Sequence, residues 1–515
     1  MRRPTSMDLL MHHMSQTQPS IAQTIGVILH LRGAAPPVED LRNHVRSHLH
    51  LLPRLTHYLH GPGLKARWRH SPEPDLQSRI RHRSIPLGEK ALATTLDDLV
   101  SAALPDRGPL WDIWLVTGYA ADQYVICCRA HHSTQDGTGL LNTLHTLFGT
   151  PPSATALPLP RPRARTYLHA VRDTLAASAA TGIWNDPERP LSGHRVSNWT
   201  QLPTEQLRTT AVSRGGDTND AFLAGLSGAF RTWCADHWPR GNDKPLPATT
   251  MVNLRRPEER DQPGNLFSFA PAPLPCHVTT APDRLDHVIA ATRPTKDPAR
   301  HTAMRHLLDR TPARAFQSLA TRLTTPDRAA ITTSYVAVHR PLAYGNDPVV
   351  RMQPFNWLPG NQPACVVACS YNGTTSVYFV TDAAVPGLDR LPALFLDETA
   401  RMRDQSEGAQ AVAVPRQNSL SDTAPAPATT ADISRPAIDF ALIKALLVDQ
   451  AGLPAEHITL TATQQDAGID SMAHTLLSMT LEEQLGLVLH ERELAQQPTV
   501  SALVQLVAQR AAQHQ

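Results

Sequence analysis

Two places in this 515-residue chain hold residue types whose spacing could do chemistry. The first is His131-His132-Ser133-Thr134-Gln135-Asp136-Gly137, two adjacent imidazoles with a carboxylate four residues after the second. A histidine of ordinary pKa, about 6.5, can take a proton from a hydroxyl or amine attacking a thioester, provided one ring nitrogen is free and aimed at a cleft. Asp136 could accept a hydrogen bond or pair with a basic residue to hold the loop, and Gly137 would permit a tight backbone path out of it. Zinc does not suit the set, because His-His-x-x-x-Asp comes without the His-Glu-x-x-His or cysteine pairs that complete a tetrahedral site, and no metal is expected. The second place is Asp470-Ser471-Met472, where a serine at a helix start would offer its hydroxyl to a modifying enzyme and a phosphate would gain from the helix N-terminus. Taken by themselves, the first set reads as a polar turn between strand and helix and the second as an ordinary N-cap.

The flanking pattern places both sets. Trp111–Thr117 and Tyr124–Arg129 are apolar runs either side of a short turn and read as a β-hairpin whose second strand ends at the histidines. Leu140, Leu144, Leu147 and Phe148 return at helical spacing, so a helix begins after Asp136-Gly137. Upstream, Gly26–Leu31 reads as a strand and Val38–Leu59 as a helix with Leu41, Val45, Leu49 and Leu52 on its apolar face. Thr218–Ala235 reads as an amphipathic helix, and Ala248–Leu254 and Ala364–Ser370 as buried strands, the latter paired with Ser376–Thr381 across Tyr371-Asn372-Gly373. A Pro-rich stretch at Pro151–Pro162 divides the body, giving an N-terminal half at 1–160 and a C-terminal half at 161–403. Residues 404–436, rich in Ala, Pro, Thr and Ser, read as a flexible linker. From 437 to 515, Ile438, Leu442, Ile443, Leu446 and Leu447 open a small helical bundle that resumes after Ser471 and ends beyond Pro498-Thr499.

Bulk properties narrow the class. The length exceeds a single core, and the net charge of +2 argues against a nucleic-acid partner held by phosphate neutralisation. The charge is uneven: residues 437–515 carry nine acidic and three basic side chains, a net −6, which leaves +8 on the rest. Six cysteines without CxxC spacing are read as buried apolar side chains in a reducing setting. With no signal-peptide pattern and no apolar run of roughly 20 residues, a cytoplasmic protein without a transmembrane segment is expected.

HHSTQDG resembles the HHxxxDG signature of the condensation-domain superfamily, which takes in nonribosomal condensation domains, chloramphenicol-acetyltransferase-like enzymes and wax ester synthase/diacylglycerol acyltransferases. SMDLLMHH, PLWDIWLVTGY, GGDTNDAFLAG, VNLRRPEERDQPGNLFSF and CSYNGTTSVYFVTD follow one another in the order of that last branch and cover most of residues 1–403. The resemblance implies an α/β fold of two chloramphenicol-acetyltransferase-like subdomains in a V, with the motif at their junction and a tunnel reaching it from both faces. It implies that His132 is the catalytic base and that His131, Asp136 and Gly137 organise the loop. Asp136 would pair with an arginine from the second half, for which Arg255 matches best, with Asn265 beside it as support. Asn219-Asp220 and Ser370–Gly373 also match motif positions, but helix capping and turn formation explain them. Where the branch often has an Asn-Val-Pro-Gly-Pro loop this chain runs Ser334-Tyr335-Val336-Ala337-Val338, so lipid acceptors do not carry over with the motif.

DAGIDSMAHTLLSMTLEEQLGLVL, between ALIKALL and PTVSALVQLV, resembles an acyl or peptidyl carrier protein. That resemblance implies a four-helix carrier bundle in which Ser471 bears 4′-phosphopantetheine, its thiol holding an acyl group, with Asp470, Glu482 and Glu483 on a partner-facing acidic surface. The expected partners are a phosphopantetheinyl transferase, an acyl-loading enzyme, upstream carrier or coenzyme A thioester, and a hydroxyl or amine acceptor. The function implied is formation of an ester or amide from a carrier-bound thioester in polyketide or nonribosomal peptide biosynthesis. No covalent acyl-enzyme is needed, since no activated Ser or Cys stands beside a base. Ser471 could carry donor or acceptor. A lipid enzyme using acyl-coenzyme A and a non-catalytic docking protein are the alternatives.

Overall fold

The computed structural model describes the chain apart from residues 1–2, 18–22, 152–189, 312–313, 316, 319–329, 360–361, 414–438, 452–454, 468, 470–472, 475–476, 479–480, 482–486, 488, 490 and 514–515. Two compact units are formed, by residues 1–416 and 417–515. Among the described residues, fourteen strands run through the first: β1 (Thr24–Arg32), β2 (His57–His60), β3 (Arg67–His70), β4 (Ile80–Ser84), β5 (Trp111–Thr117), β6 (Gln123–His131), β7 (Arg195–Pro203), β8 (Ala248–Asn253), β9 (Phe267–Pro271), β10 (Ile331–Val338), β11 (Ala343–Tyr344), β12 (Asp347–Phe355), β13 (Ala364–Tyr371) and β14 (Thr374–Asp382).

They assemble into two six-stranded sheets, in the orders β11-β12-β1-β6-β5-β4 and β7-β14-β13-β10-β8-β9, with β2 and β3 as a separate ribbon. β6 is central in the first sheet and buried on both faces from Tyr124 to His131, which is why QYVICCRAH is apolar without alternation. Its antiparallel pairing with β5 is the expected hairpin, matching Trp111 to Ala130 and Val116 to Val125. In the second sheet Asn372 and Gly373, at φ 48° and 75°, turn β13 into β14, the left-handed pair that an Asn-Gly hairpin demands. One core cluster packs the first sheet against the 137–148 helix, with Leu29, Ile113, Ile126 and Leu144. A second surrounds the helix Thr218–His237, with Phe222, Phe230, Phe379 and Phe395. A third joins the two sheets through Ile28, Val125, Phe355, Val367 and Tyr378. All six cysteines are buried and unpaired.

Four sequence expectations change. The helix begun at Val38 ends at His48; Pro53 starts a separate turn, since proline cannot donate within a continuing helix, and the next residues form β2. The 161–403 half is not confined to its own sheet: β11 and β12 cross over and complete the first sheet along the open edge of β1, where the Phe355 ring fills the space that a Cβ on Gly26 would need. The helix from Thr218 is buried all round from Asp220 to Phe230 rather than amphipathic, because helices and sheet enclose it. Residues 404–413 continue the helix that starts at Leu391, through Glu, Gln and Ala of good helix propensity, so the linker expectation applies only past Ala413, outside the described residues. The boundary near residue 160 also lies outside them.

The second unit contains helices Phe440–Ala451, Glu491–Ala495 and Val500–Gln513. Ile443, Leu447, Leu477, Leu481, Leu494, Leu503 and Val507 form its core. The Gln464 amide ties its layers together by donating to the carbonyls of Leu494 at 2.8 Å and Gln497 at 2.6 Å. Asp470, Ser471, Glu482 and Glu483 lie outside the described residues. No helix among the described residues is long and apolar enough to cross a membrane.

Candidate active site

The motif is a buried turn between the end of β6 and the helix Gly137–Phe148. His131 is the last residue of β6, opposite Thr24 of β1, and residues 131–136 are all buried. Its Nδ1 accepts from the Ser133 backbone N–H at 3.1 Å and contacts the Ser133 hydroxyl at 2.8 Å. A nitrogen that accepts a backbone N–H carries no proton, so the His131 lone pair is already engaged. Burial, reinforced by the neighbouring imidazoles of His132 and His12, pushes its pKa down to about 3.

His132 is held through both of its peptide groups. Its N–H donates to the Gln23 carbonyl at 2.9 Å, and its carbonyl accepts from the Asn265 amide at 2.9 Å. The imidazole is 2% exposed and tilts against the Phe267 ring, centroids 5.3 Å apart. Nδ1 is fully buried without a hydrogen-bond partner among the described residues. Nε2 makes no hydrogen bond among the described residues. Burial lowers the pKa, opposed by its own carbonyl, the Asp136 charge and Asn265. The ring is therefore neutral at pH 7, with one nitrogen turned toward the chain and the other available as a base.

Asp136 caps the 137–148 helix, its Oδ1 accepting from Gly139 N–H at 2.7 Å. The same carboxylate forms a bidentate pair with Arg255, at 2.9 and 3.0 Å, and accepts from Leu266 N–H at 2.8 Å. Arg255 spends its remaining donors on the carbonyls of Gly264 and Gln262 and on Asn253. Asp136 thus fastens the motif to the 253–266 loop of the second sheet and hydrogen-bonds to neither histidine. Asp136, Arg255, Asn265 and His132 are brought together; Asn219 and Ser370 are elsewhere. Asp220 closes a capping box with Asp217 and meets Lys296 and Thr292, and Ser370 joins hydroxyls of Tyr335 and Thr375. Ser334–Val338 is not a loop but the greater part of β10, parallel to β13 from Ser334–Val367 to Val338–Tyr371.

Gly137 does not have the role its position suggested: its φ is not positive and an added Cβ would meet nothing within 4 Å. The constraint lies at Gly264, with φ +99°, where a Cβ would come within 2.2 Å of Arg54 Nη2. Arg54 left no trace of a role in the sequence. Its guanidinium stacks on Trp68 at 4.8 Å, and its Nε and Nη1 are buried without partners among the described residues. Burial lowers its pKa, with Asp8 and Asp136 opposing. Asp8 is the second addition, 1% exposed and bonded to the Asn265 amide at 2.8 Å. A small cavity lined by Met7, Leu254, Asn265, Phe267 and Arg305 adjoins the two residues that touch His132.

Comparison with known families matches three stretches of the chain. The wax ester synthase/diacylglycerol acyltransferase catalytic domain matches residues 7–183 and the WS/DGAT C-terminal domain residues 263–403. The phosphopantetheine attachment site family matches residues 441–507, a span that includes Ser471. A Mycobacterium tuberculosis protein provisionally named a diacylglycerol O-acyltransferase is 26% identical over 273 residues, 44% of this chain and 57% of that relative. A Mycobacterium bovis protein of the same name is 24% identical over 274 residues, 44% and 54% of the two chains. The chain thus spans little more than half the length of these curated relatives. Among solved structures, the wax ester synthase/diacylglycerol acyltransferase of Marinobacter aquaeolei shares 18% identity over 79% of this chain and all of its own, at a TM-score of 0.56. The first condensation domain of the calcium-dependent antibiotic synthetase shares 18% over 79% and 96%, at 0.55. At such identity these likenesses establish the fold, the mixed α/β architecture of condensation domains.

Proposed function

Because the chain belongs to the wax ester synthase/diacylglycerol acyltransferase family of condensation-type acyltransferases and ends in a phosphopantetheine-attachment domain, we propose that it transfers an acyl group from a thioester to a hydroxyl or amine, with His132 as general base. The observation that carries this reading is the neutral, pinned imidazole of His132, one nitrogen buried and the other without a partner, in the same chain as a carrier domain. On this reading Ser471 is the attachment point, and 4′-phosphopantetheine there would supply the thiol that holds the acyl group.

His132 Nε2 accepts the proton of the attacking hydroxyl or amine as its heteroatom bonds to the thioester carbonyl carbon. The tetrahedral intermediate collapses with loss of the thiolate, to which the imidazolium returns the proton, leaving an ester or amide and a neutral ring. His131 cannot share this task, because its lone pair is engaged with Ser133. Asp136 and Arg255 act on geometry, fixing the loop that presents the ring. Two tethered domains raise the local concentration of the loaded arm, which favours assembly-line chemistry of the polyketide or nonribosomal peptide kind. A second reading, ester formation on a lipid alcohol from acyl-coenzyme A, draws on the names of the curated relatives.

Intact-protein mass spectrometry tests the proposal. The full chain is incubated with a phosphopantetheinyl transferase and octanoyl-coenzyme A, in wild type, Ser471→Ala and His132→Ala, then chased with candidate alcohols and amines. A gain the size of octanoyl-phosphopantetheine that needs Ser471, with subsequent octanoyl loss that needs His132, is the expected result. Turnover of free octanoyl-coenzyme A by Ser471→Ala at the wild-type rate would move the assignment to the lipid reading, and discharge independent of His132 would remove the base.

A further inference from the structure

We infer that Asp8 is a positioning residue for His132, acting through the side-chain amide of Asn265; the inference rests on the reading of His132 as the base. The Asn265 amide has two N–H groups on one nitrogen, and both are used: one meets Asp8 Oδ1 at 2.8 Å and the other the His132 carbonyl at 2.9 Å. Its oxygen is left buried with no partner among the described residues. The two bonds on its nitrogen side hold the amide in this orientation. A carboxylate can only accept, so Asp8 decides which end of the amide faces the histidine, and a rotated amide would set oxygen against oxygen at the His132 carbonyl.

Asp8 is itself fixed independently of the site. Its second oxygen accepts from Thr5 N–H at 2.9 Å, and its own N–H donates to the Thr5 hydroxyl at 3.1 Å, a reciprocal cap on the helix Ser6–Thr17. Capping alone would be served as well by a carboxylate in water, yet this one is 1% exposed, where burial raises its pKa and only Arg54, Thr5 and Asn265 oppose the rise. The peptide carbonyl it reaches through Asn265 is His132's own, which interacts with the imidazole ring. With Gln23 on the N–H side and Asn265 on the carbonyl side, the His132 backbone has no slack, and the carbonyl's place sets both the ring's direction and the favoured site of its proton. The chain N-terminal segment, the motif and the second sheet's loop therefore meet in one hydrogen-bonded line.

The test compares full-length wild type with Asp8→Ala, Asp8→Asn, Asn265→Ala and the Asp8→Ala/Asn265→Ala double variant. Gln16→Ala serves as the control, loosening the same helix at its other end, where Gln16 holds the Gly63 N–H at 2.7 Å. Two readouts are taken: kcat and KM for octanoyl transfer from octanoyl-coenzyme A to hexadecanol, and the 15N spectrum of the histidines, with the His132 signals identified by their loss in His132→Gln. Asp8→Ala is expected to lower kcat about tenfold or more while KM moves less than about twofold, the mark of a misplaced catalytic group. Asp8→Asn, which still offers an acceptor, should recover part of that loss. The double variant should be no slower than Asn265→Ala, because both changes break one line. In the spectrum, Asp8→Ala should shift the His132 ring nitrogens toward an averaged tautomer, and Gln16→Ala should not. If Asp8→Ala and Gln16→Ala lower Tm alike and leave the His132 signals in place, Asp8 is a helix cap and the inference falls. Should wild type transfer no octanoyl group to hexadecanol, the lipid reading fails separately and discharge of the Ser471-bound octanoyl group is read instead, while the spectra still decide the role of Asp8.

Discussion

Breaking the Asp136–Arg255 pair gives the sharpest measure of how the motif is held. Both side chains are nearly inaccessible, 7% and 1% exposed, and two charge-assisted bonds of 2.9 and 3.0 Å join them. Arg255→Met would leave a buried carboxylate without its counter-charge, a loss of about 3–5 kcal/mol. It would also strip a donor from the carbonyls of Gly264 and Gln262, each worth about 1 kcal/mol. Asp136→Asn keeps a cap for Gly139 but strands the guanidinium, at about 3 kcal/mol by the same reasoning. In the double variant no lone charge remains, so its cost should fall short of the sum of the singles by about 2 kcal/mol or more. Guanidinium unfolding of the full chain, followed by tryptophan fluorescence, reads this directly, because all eight tryptophans precede residue 358 and none belongs to the carrier region. A loss under about 1 kcal/mol for Arg255→Met, or strict additivity in the double variant, would refute the claim that this pair clamps the site.

Three further outcomes follow from the same geometry. Gly264→Ala should cost about 2 kcal/mol or more in that unfolding assay, since φ +99° and the Arg54 guanidinium both resist a Cβ, whereas Gly137→Ala should be neutral or slightly stabilising. His30 is buried, with its pKa down at about 3, chiefly from burial and then from Arg351; a folded-state pKa below the unfolded 6.5 means its stabilising effect is complete above pH 6.5 and lost as pH falls toward 3, on the order of 5 kcal/mol in all. His131 has the same sign and range, so His30→Gln should flatten, without abolishing, the fall in stability between pH 6 and 4. For transfer itself, the lowered pKa of His132 places the acid limb of log kcat/KM below pH 6.5, and an inflection at or above 6.5 would contradict a buried neutral base.

Legibility from the sequence divided along a physical line. Features encoded locally could be read: the β5–β6 hairpin from its two apolar runs, the Asn372-Gly373 turn from its need for left-handed backbone, and the helix after Asp136 from the spacing of Leu140, Leu144 and Leu147. Position by position, resemblance also pointed to Arg255 as the partner of Asp136, 119 residues away, a contact no periodicity could have announced. What escaped were properties of the assembled environment. The helix Thr218–His237 carries polar residues at intervals that look like an exposed face, but Asp220 spends its oxygens on Thr292 and Lys296, so a polar residue there signals a satisfied interior. β12 is a strand by composition, yet nothing in its residues says which of two sheets it joins.

The same line explains the site. His132 could be named because its chemistry lies in its side chain, whereas the groups that hold it do so through backbone atoms. Gln23 accepts from its N–H, Asn265 donates to its carbonyl, and Asp8 reaches it only by way of Asn265, 257 residues distant. A residue that works on another's peptide group leaves no mark in the local pattern, so the sequence singles out neither Asp8 nor Arg54. The emphasis on Gly137 failed for a related reason: the motif's glycine is conspicuous in sequence, but the tight approach belongs to Gly264, on the opposite side of the junction. Variation that tunes this base is expected to concentrate less in HHSTQDG than in the 253–266 loop and the first helix, which decide where its carbonyl stands.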